Sequence, residues 1–122
     1  KECFDSLRLQ SLQASEVVLV QDGPISSDLA KLIDEYRAVL NIVSVKLAKN
    51  VGLASALNEG IRRCKYDLII RMDTDDIALQ DRFKKQLHFM NKNPEIDASS
   101  CFIEEFDGSG NIVSTRTLPL PC

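Results

Sequence analysis

Apolar residues recur along the chain in two alternating rhythms. Phe4, Leu7, Leu9 and Leu12 lie roughly on one side of a helix over residues 2–13. The short apolar run Val17-Val18-Leu19-Val20, opened by Glu16, contains β-branched residues and reads as a buried strand. Gln21-Asp22-Gly23-Pro24 stops it as a turn. Ser26-Ser27-Asp28 offers an N-cap, after which Leu29, Leu32, Ile33 and Tyr36 continue at helical spacing. Residues 41–45 predict a second strand. Residues 52–64 predict a helix with Leu53, Ala56, Leu57 and Ile61 on one face, and residues 67–72 a third strand. Phe83, Leu87 and Met90 stripe a helix over 81–91, ended by Asn93-Pro94. Residues 96–106 read as a strand, and 107–111 as a hairpin turn into residues 112–117. Leu118-Pro119-Leu120-Pro121 is extended and cannot pair as a central strand.

Strands alternating with helices imply βαβ units, a parallel sheet and right-handed connections. In such sheets ligands bind beyond the carboxyl ends of the strands. Two acidic turns stand there: Asp22 after the first strand, and Asp73, Asp75 and Asp76 after the third. The 122 residues suit one compact domain, and 44% apolar with 27% charged residues fits a soluble globular protein. The formal net charge of -3 argues against a nucleic-acid binder, which carries a basic face. The four cysteines form no CxxC pair and the lone His88 has none close by, so a zinc site is not expected. Scattered spacing favours reduced thiols in a cytosolic protein, with Cys64 and Cys101 filling core space. Dinucleotide, P-loop and serine-hydrolase motifs are all missing.

The run Leu68-Ile69-Ile70-Arg71-Met72-Asp73-Thr74-Asp75-Asp76-Ile77 carries the most chemistry. An apolar stretch ends abruptly in three carboxylates within four residues. Such carboxylates repel one another, and burying them is costly unless a cation neutralises them. Mg²⁺ or Mn²⁺ takes oxygen ligands and bridges carboxylates to the phosphates of a substrate. A polar turn capping the following helix would account for the same residues, Asp76 above all. Arg71 is placed to approach a diphosphate or to pair with Asp73. The basic groups Arg62-Arg63 and Arg82, Lys84, Lys85 read as solvated helix faces, and His88 as structural.

Three segments together resemble family 2 glycosyltransferases. Val18-Leu19-Val20-Gln21-Asp22-Gly23 is similar to their "VVDDGS" strand end. Residues 49–60, with Asn50, Gly52 and Asn58, are similar to their "N-x-G-L-A-x-A-x-N-x-G" segment. Residues 71–77 are similar to their "DxD" signature in the form "RMDADD", and Asp81-Arg82-Phe83-Lys84-Lys85-Gln86 to the helix after it. The resemblance covers nearly the whole chain. It implies a GT-A fold: a Rossmann-like nucleotide-binding α/β sheet, mostly parallel, with helices on both faces. It implies transfer of a sugar from a nucleotide-sugar donor with inversion. Carried over, Asp22 would contact the nucleoside, Asp73 would lie near the ribose or pyrophosphate, and Asp75 would hold Mn²⁺ or Mg²⁺ with Asp73 beside it. Asn50, Gly52, Asn58 and Arg71 would shape the donor site.

The chain departs from the family pattern in three ways. The family's first strand, with its base-binding "P-x-Y-N" stretch, has no counterpart, Gln21 replaces the first Asp of the usual pair, and no residue matches the catalytic base. Glu104, Glu105 and Asp107 fall too early in family order. The expectation is therefore a single domain over 1–122, the donor-binding core of a longer enzyme without its first strand and acceptor-binding part. A UDP-sugar donor is favoured, and the acceptor is a saccharide or a lipid-linked molecule. The full-length protein is expected in the cytoplasm, with peripheral association at the inner membrane face. Two alternatives remain open on the residues. One is a haloacid-dehalogenase-type phosphohydrolase, whose DxDx[TV] motif Asp73-Thr74-Asp75-Asp76-Ile77 nearly fits with Asp73 as nucleophile. The other is a non-catalytic nucleotide- or metal-binding module.

Overall fold

The computed structural model describes residues 1–117, so the extended reading of residues 118–121 and Cys122 lie outside the described residues. The chain divides into two compact units, Lys1–Phe83 and Lys84–Cys122. The first holds α1 (Glu2–Arg8), β1 (Val17–Gln21), α2 (Ser27–Tyr36), β2 (Ile42–Lys46) and α3 (Leu53–Arg63). β1 and β2 are parallel, in register from Val17↔Ile42 to Gln21↔Lys46.

The continuous apolar run of β1 is half-buried and packed on both faces, since successive side chains of a strand point to opposite sides. Val17 and Leu19 pack against a cluster containing Phe4 and Leu7 of α1, Ile33 and Tyr36 of α2, and Ile42 of β2. Val20 faces α3, where a Cβ on Gly60 would come within 2.8 Å of its Cγ2. Helices therefore cover both faces of a parallel pair, the expected Rossmann-like α/β arrangement. α2 begins as its sequence predicts, with the Ser26 hydroxyl accepting the Leu29 N–H at 3.2 Å. The Phe4 and Tyr36 rings lie 4.9 Å apart, and the Tyr36 hydroxyl donates to Asp5 Oδ1 at 2.7 Å.

Several expectations need correction. The first helix ends at Arg8 rather than near residue 13, leaving Leu9 and Leu12 55% and 37% exposed. The chain turns there, and the polar Gln10 is buried in their stead. On α3 the buried positions are Ala56 and Gly60, whereas Leu53 and Ile61 face solvent. The close approach to β1 selects the small-residue face of the helix, not its bulkiest one. Residues 67–72 form no strand. Ile70 and Met72 pack on the core cluster, but Leu68 and Ile69 are half exposed and the segment joins no ladder among the described residues. An apolar run supplies a strand's side chains, not the hydrogen-bonding neighbour that makes it one.

α4 (Arg82–Lys92) follows, with Phe83 buried in the first unit's core. The second unit contains the antiparallel hairpin β3 (Ile103–Phe106) and β4 (Ile112–Arg116), with a register shift between Glu105 and Phe106. The strand expected over 96–106 shrinks to the four residues that find a partner. The Asp107 carboxylate holds the turn by accepting the N–H groups of Ser109 at 2.8 Å and Asn111 at 3.0 Å. Those bonds, Asn111's first, hold its carboxyl below the ordinary aspartate range. Among the described residues, no helix is long and apolar enough to cross a membrane.

Candidate functional site

At the carboxyl end of β1 the chain turns through Asp22 and Gly23. Gly23 has φ 102°, and a Cβ there would meet the Asn50 backbone nitrogen at 3.1 Å. The turn therefore lies directly against the loop entering α3, an approach that only glycine permits. One Asp22 oxygen accepts the Val51 N–H at 2.7 Å and the other the Gly52 N–H at 3.1 Å. Asn50 Oδ1 shares the Gly52 N–H at 3.1 Å. Gly52 stands at the N-cap of α3 with φ 86° and has no side chain of its own to offer. The structure thus brings Asp22, Asn50 and Gly52 together, with Asp22 already tying the end of β1 to the start of α3.

Beside this turn lies an open groove of about 350 Å³, lined in part by Gln21, Gly23, Pro24, Lys46 and Ala48. It lies between α2 (Ala30, Ile33, Asp34) and the carboxyl ends of β1 and β2, the end of the sheet at which open α/β folds take ligands. Gln21, which stands where the family pattern has Asp, is buried and contributes to this wall.

The second group of expected residues forms around one reverse turn. The Asp76 N–H donates to the Asp73 carbonyl at 3.2 Å, which puts Thr74 and Asp75 at the tip. The Asp73 carboxylate pairs with Arg71, both ends largely in solvent. The Arg82 guanidinium donates to the Arg71 carbonyl at 3.2 Å, bringing a second cation to the same place. Asp75 and Asp76 are exposed, and their carboxylates accept no hydrogen bond among the described residues. Neither caps a helix: α4 begins only at Arg82, six residues after Asp76. The capping explanation for these acids therefore fails. Asn58 stands apart in the middle of α3, exposed and bonded to neither group.

The donor set at this turn is all carboxylate oxygen, which suits a hard divalent ion. Among the described residues, no three of His, Cys, Asp and Glu converge as a ready-made cage. An ion here would take one or two protein oxygens and fill its shell from phosphate and water, the usual habit of Mg²⁺.

One contributor was not legible in the sequence. α1 reads there as an amphipathic helix and nothing more, yet its polar side chains touch this turn and its sequel. Cys3 Sγ donates to the Asp73 carbonyl at 3.7 Å. Burial, reinforced by Asp76 and Asp75, pushes the Cys3 thiol pKa up and keeps it a protonated donor. The only signal was polar residues, Ser6 and Gln10, interleaved with the apolar stripe.

A parallel α/β unit with helices on both faces and its acidic turn at one end places the molecule among Rossmann-like proteins. A family model described as "Glycosyl transferase family 2" matches residues 1–120, and the chain belongs to that family. It is 44% identical over 120 residues to the amylovoran biosynthesis glycosyltransferase AmsE of Erwinia amylovora, covering 98% of this chain and 45% of that protein. It is 46% identical, with the same coverage, to an uncharacterised glycosyltransferase of Haemophilus influenzae. It is 41% identical over 106 residues to the Escherichia coli UDP-Gal:alpha-D-GlcNAc-diphosphoundecaprenol beta-1,3-galactosyltransferase, covering 87% of this chain and 38% of that protein. The chain therefore spans less than half the length of these relatives.

Proposed function

We propose that this chain carries the donor side of a metal-assisted, inverting glycosyl transfer from a nucleoside-diphosphate sugar to an acceptor hydroxyl. The observation that carries the proposal is the Asp73–Asp76 turn, which presents at its tip the Asp75 carboxylate, without a hydrogen-bond partner among the described residues, in a chain of this family. Asp75 would be the primary metal ligand and Asp73, now paired with Arg71, the second; Arg71 would supply positive charge for the diphosphate. Asp22, Asn50 and Gly52 shape the wall of the donor site beside the groove, and Asn58, exposed on α3, is the donor-binding candidate that lies apart from them.

The acceptor oxygen forms a bond to the anomeric carbon as the bond from that carbon to the diphosphate oxygen breaks. The electron pair leaves with the diphosphate, and the hydroxyl proton passes to a general base. Bound Mn²⁺ or Mg²⁺ stabilises the negative charge that develops on the leaving diphosphate. No residue of this chain is assigned as the base. The name of the E. coli relative includes both a UDP-sugar and a lipid-diphosphate-linked saccharide. A UDP-sugar donor and an acceptor of that class are proposed for this chain on that likeness; action from the cytoplasm at the inner membrane face is proposed with them.

Asp75→Ala tests the assignment. Calorimetry should find Mn²⁺-dependent UDP affinity reduced at least tenfold, with the melting temperature of the free protein unchanged because Asp75 supports no other group. Equal affinity in the variant would remove Asp75 from the metal site.

A further inference from the structure

Gln10 is a buried polar side chain, 4% exposed, just past the end of α1. Its amide donates to the Ala78 carbonyl at 3.2 Å and to the Leu79 carbonyl at 2.8 Å, and its oxygen accepts the Phe83 N–H at 3.1 Å. The amide also donates to the Ser6 carbonyl of α1 at 3.2 Å, and its other three partners all lie in the segment that follows the acidic turn. Ser6 completes the seam by accepting the Ala78 N–H at 3.1 Å while donating to the Cys3 carbonyl at 2.7 Å. Further out, the Ser11 N–H donates to the Gln80 carbonyl at 2.8 Å and the Ser11 hydroxyl to Asp81 Oδ1 at 2.6 Å. Both backbone groups of Ala78 are therefore fixed by side chains from α1 and its end. Only Ile77 separates Ala78 from Asp76.

Among the described residues, 67–72 join no sheet, so no ladder found there holds the near side of the turn. The far side is held by this seam, and Cys3 touches the turn itself. A buried amide that satisfies three backbone groups of one loop holds that loop far more firmly than surface contacts do. Resting on the donor-binding function proposed above, we propose that Gln10, assisted by Ser6, is a positioning residue. It fixes the 77–83 segment so that the Asp73 and Asp75 carboxylates are preorganised for the metal-bound diphosphate. It touches neither the ion nor the nucleotide.

The test separates positioning from mere folding. Gln10→Met keeps the side chain's length and removes its polar atoms. UDP affinity is measured with Mn²⁺ and again in EDTA, well below the melting temperature, on protein whose folded state is confirmed by circular dichroism. The expected result is a loss of at least tenfold in Mn²⁺-dependent affinity with affinity in EDTA within twofold of wild type. Gln13→Ala is the control. It removes two hydrogen bonds, to the Arg8 and Gln10 carbonyls, without reaching the 77–83 segment, and should leave both affinities unchanged. If Gln10→Met does not fold, Ser6→Ala carries the same comparison. Wild type that gains affinity with Mn²⁺ while the folded variant gains as much would overturn the positioning role alone. Wild type without any Mn²⁺ gain would overturn the metal-bridged donor site and the positioning role with it.

Discussion

At the scale of single residues, the carboxylates of this chain divide by what they already hold. Asp22 is committed: its two oxygens receive the two amides that lead into α3. Hydrogen bonds to a charged acceptor contribute more than neutral ones, so Asp22→Ala should destabilise the chain by about 1–2 kcal/mol. Asp22→Asn, which keeps one acceptor, should cost less. Urea unfolding measures both, and an Asp22→Ala variant as stable as wild type would show that the loop does not depend on this carboxylate. Asp75 and Asp76 are exposed and accept no hydrogen bond among the described residues, which leaves Asp75 free for the role proposed for it. The sequence pattern located all of these acids correctly at turns. It could not distribute their tasks, because both an Asp that binds amides and an Asp that binds an ion are simply acids after an apolar run. The difference lies in which N–H groups the fold delivers, and Val51 and Gly52 arrive from 29 and 30 residues away.

Among the elements, α2, the core strands β1 and β2 and the start of α4 were legible because local pattern and tertiary partner agree in each. α3 shows where the two part. Its bulkiest stripe predicts burial of Leu53 and Ile61, but the contact surface is Ala56 and Gly60. What decides is distance to the sheet, which sequence periodicity does not encode. Gly60→Ala tests this directly. A new Cβ would stand 2.8 Å from Val20 Cγ2, and a β-branched side chain in a strand has little room to turn away. Overpacking of this kind costs about 1–3 kcal/mol, set against about 1 kcal/mol regained by replacing glycine within a helix. The net expectation is a modest destabilisation that Val20→Ala relieves. A double-mutant cycle from thermal melts should therefore show favourable coupling between the two substitutions. Additive effects would mean that α3 simply shifts outward. Residues 67–72 mark the other limit: their apolar run was plain to see, but a ladder partner is a property of the fold and not of the run.

For the molecule as a whole, the governing fact is a small core. The cluster joins α1, α2, β2, Ala78 and Phe83, and no large side chain among the described residues is fully buried. Folded domains are stable by only about 5–15 kcal/mol, and a core of this size belongs at the low end of that range. Any ligand that binds the folded state alone then moves a large fraction of the total. At a hundred times its dissociation constant a ligand adds about 2.7 kcal/mol, enough to raise the melting temperature of a domain this size by roughly 10 °C. UDP, GDP, dTDP and CMP, each with Mn²⁺ and with EDTA, should therefore sort by melting temperature, UDP with Mn²⁺ highest. Because a metal-bridged diphosphate needs both partners at once, the shift with UDP and Mn²⁺ together should exceed the sum of the shifts with each alone. A purely additive pair of shifts would mean that ion and nucleotide bind separately, and the acidic turn would then not be the bridge between them. Stabilisation by all four nucleotides alike, unaffected by EDTA, would instead locate binding in the groove at the end of β1 and leave the carboxylates of Asp73 and Asp75 without a part in it.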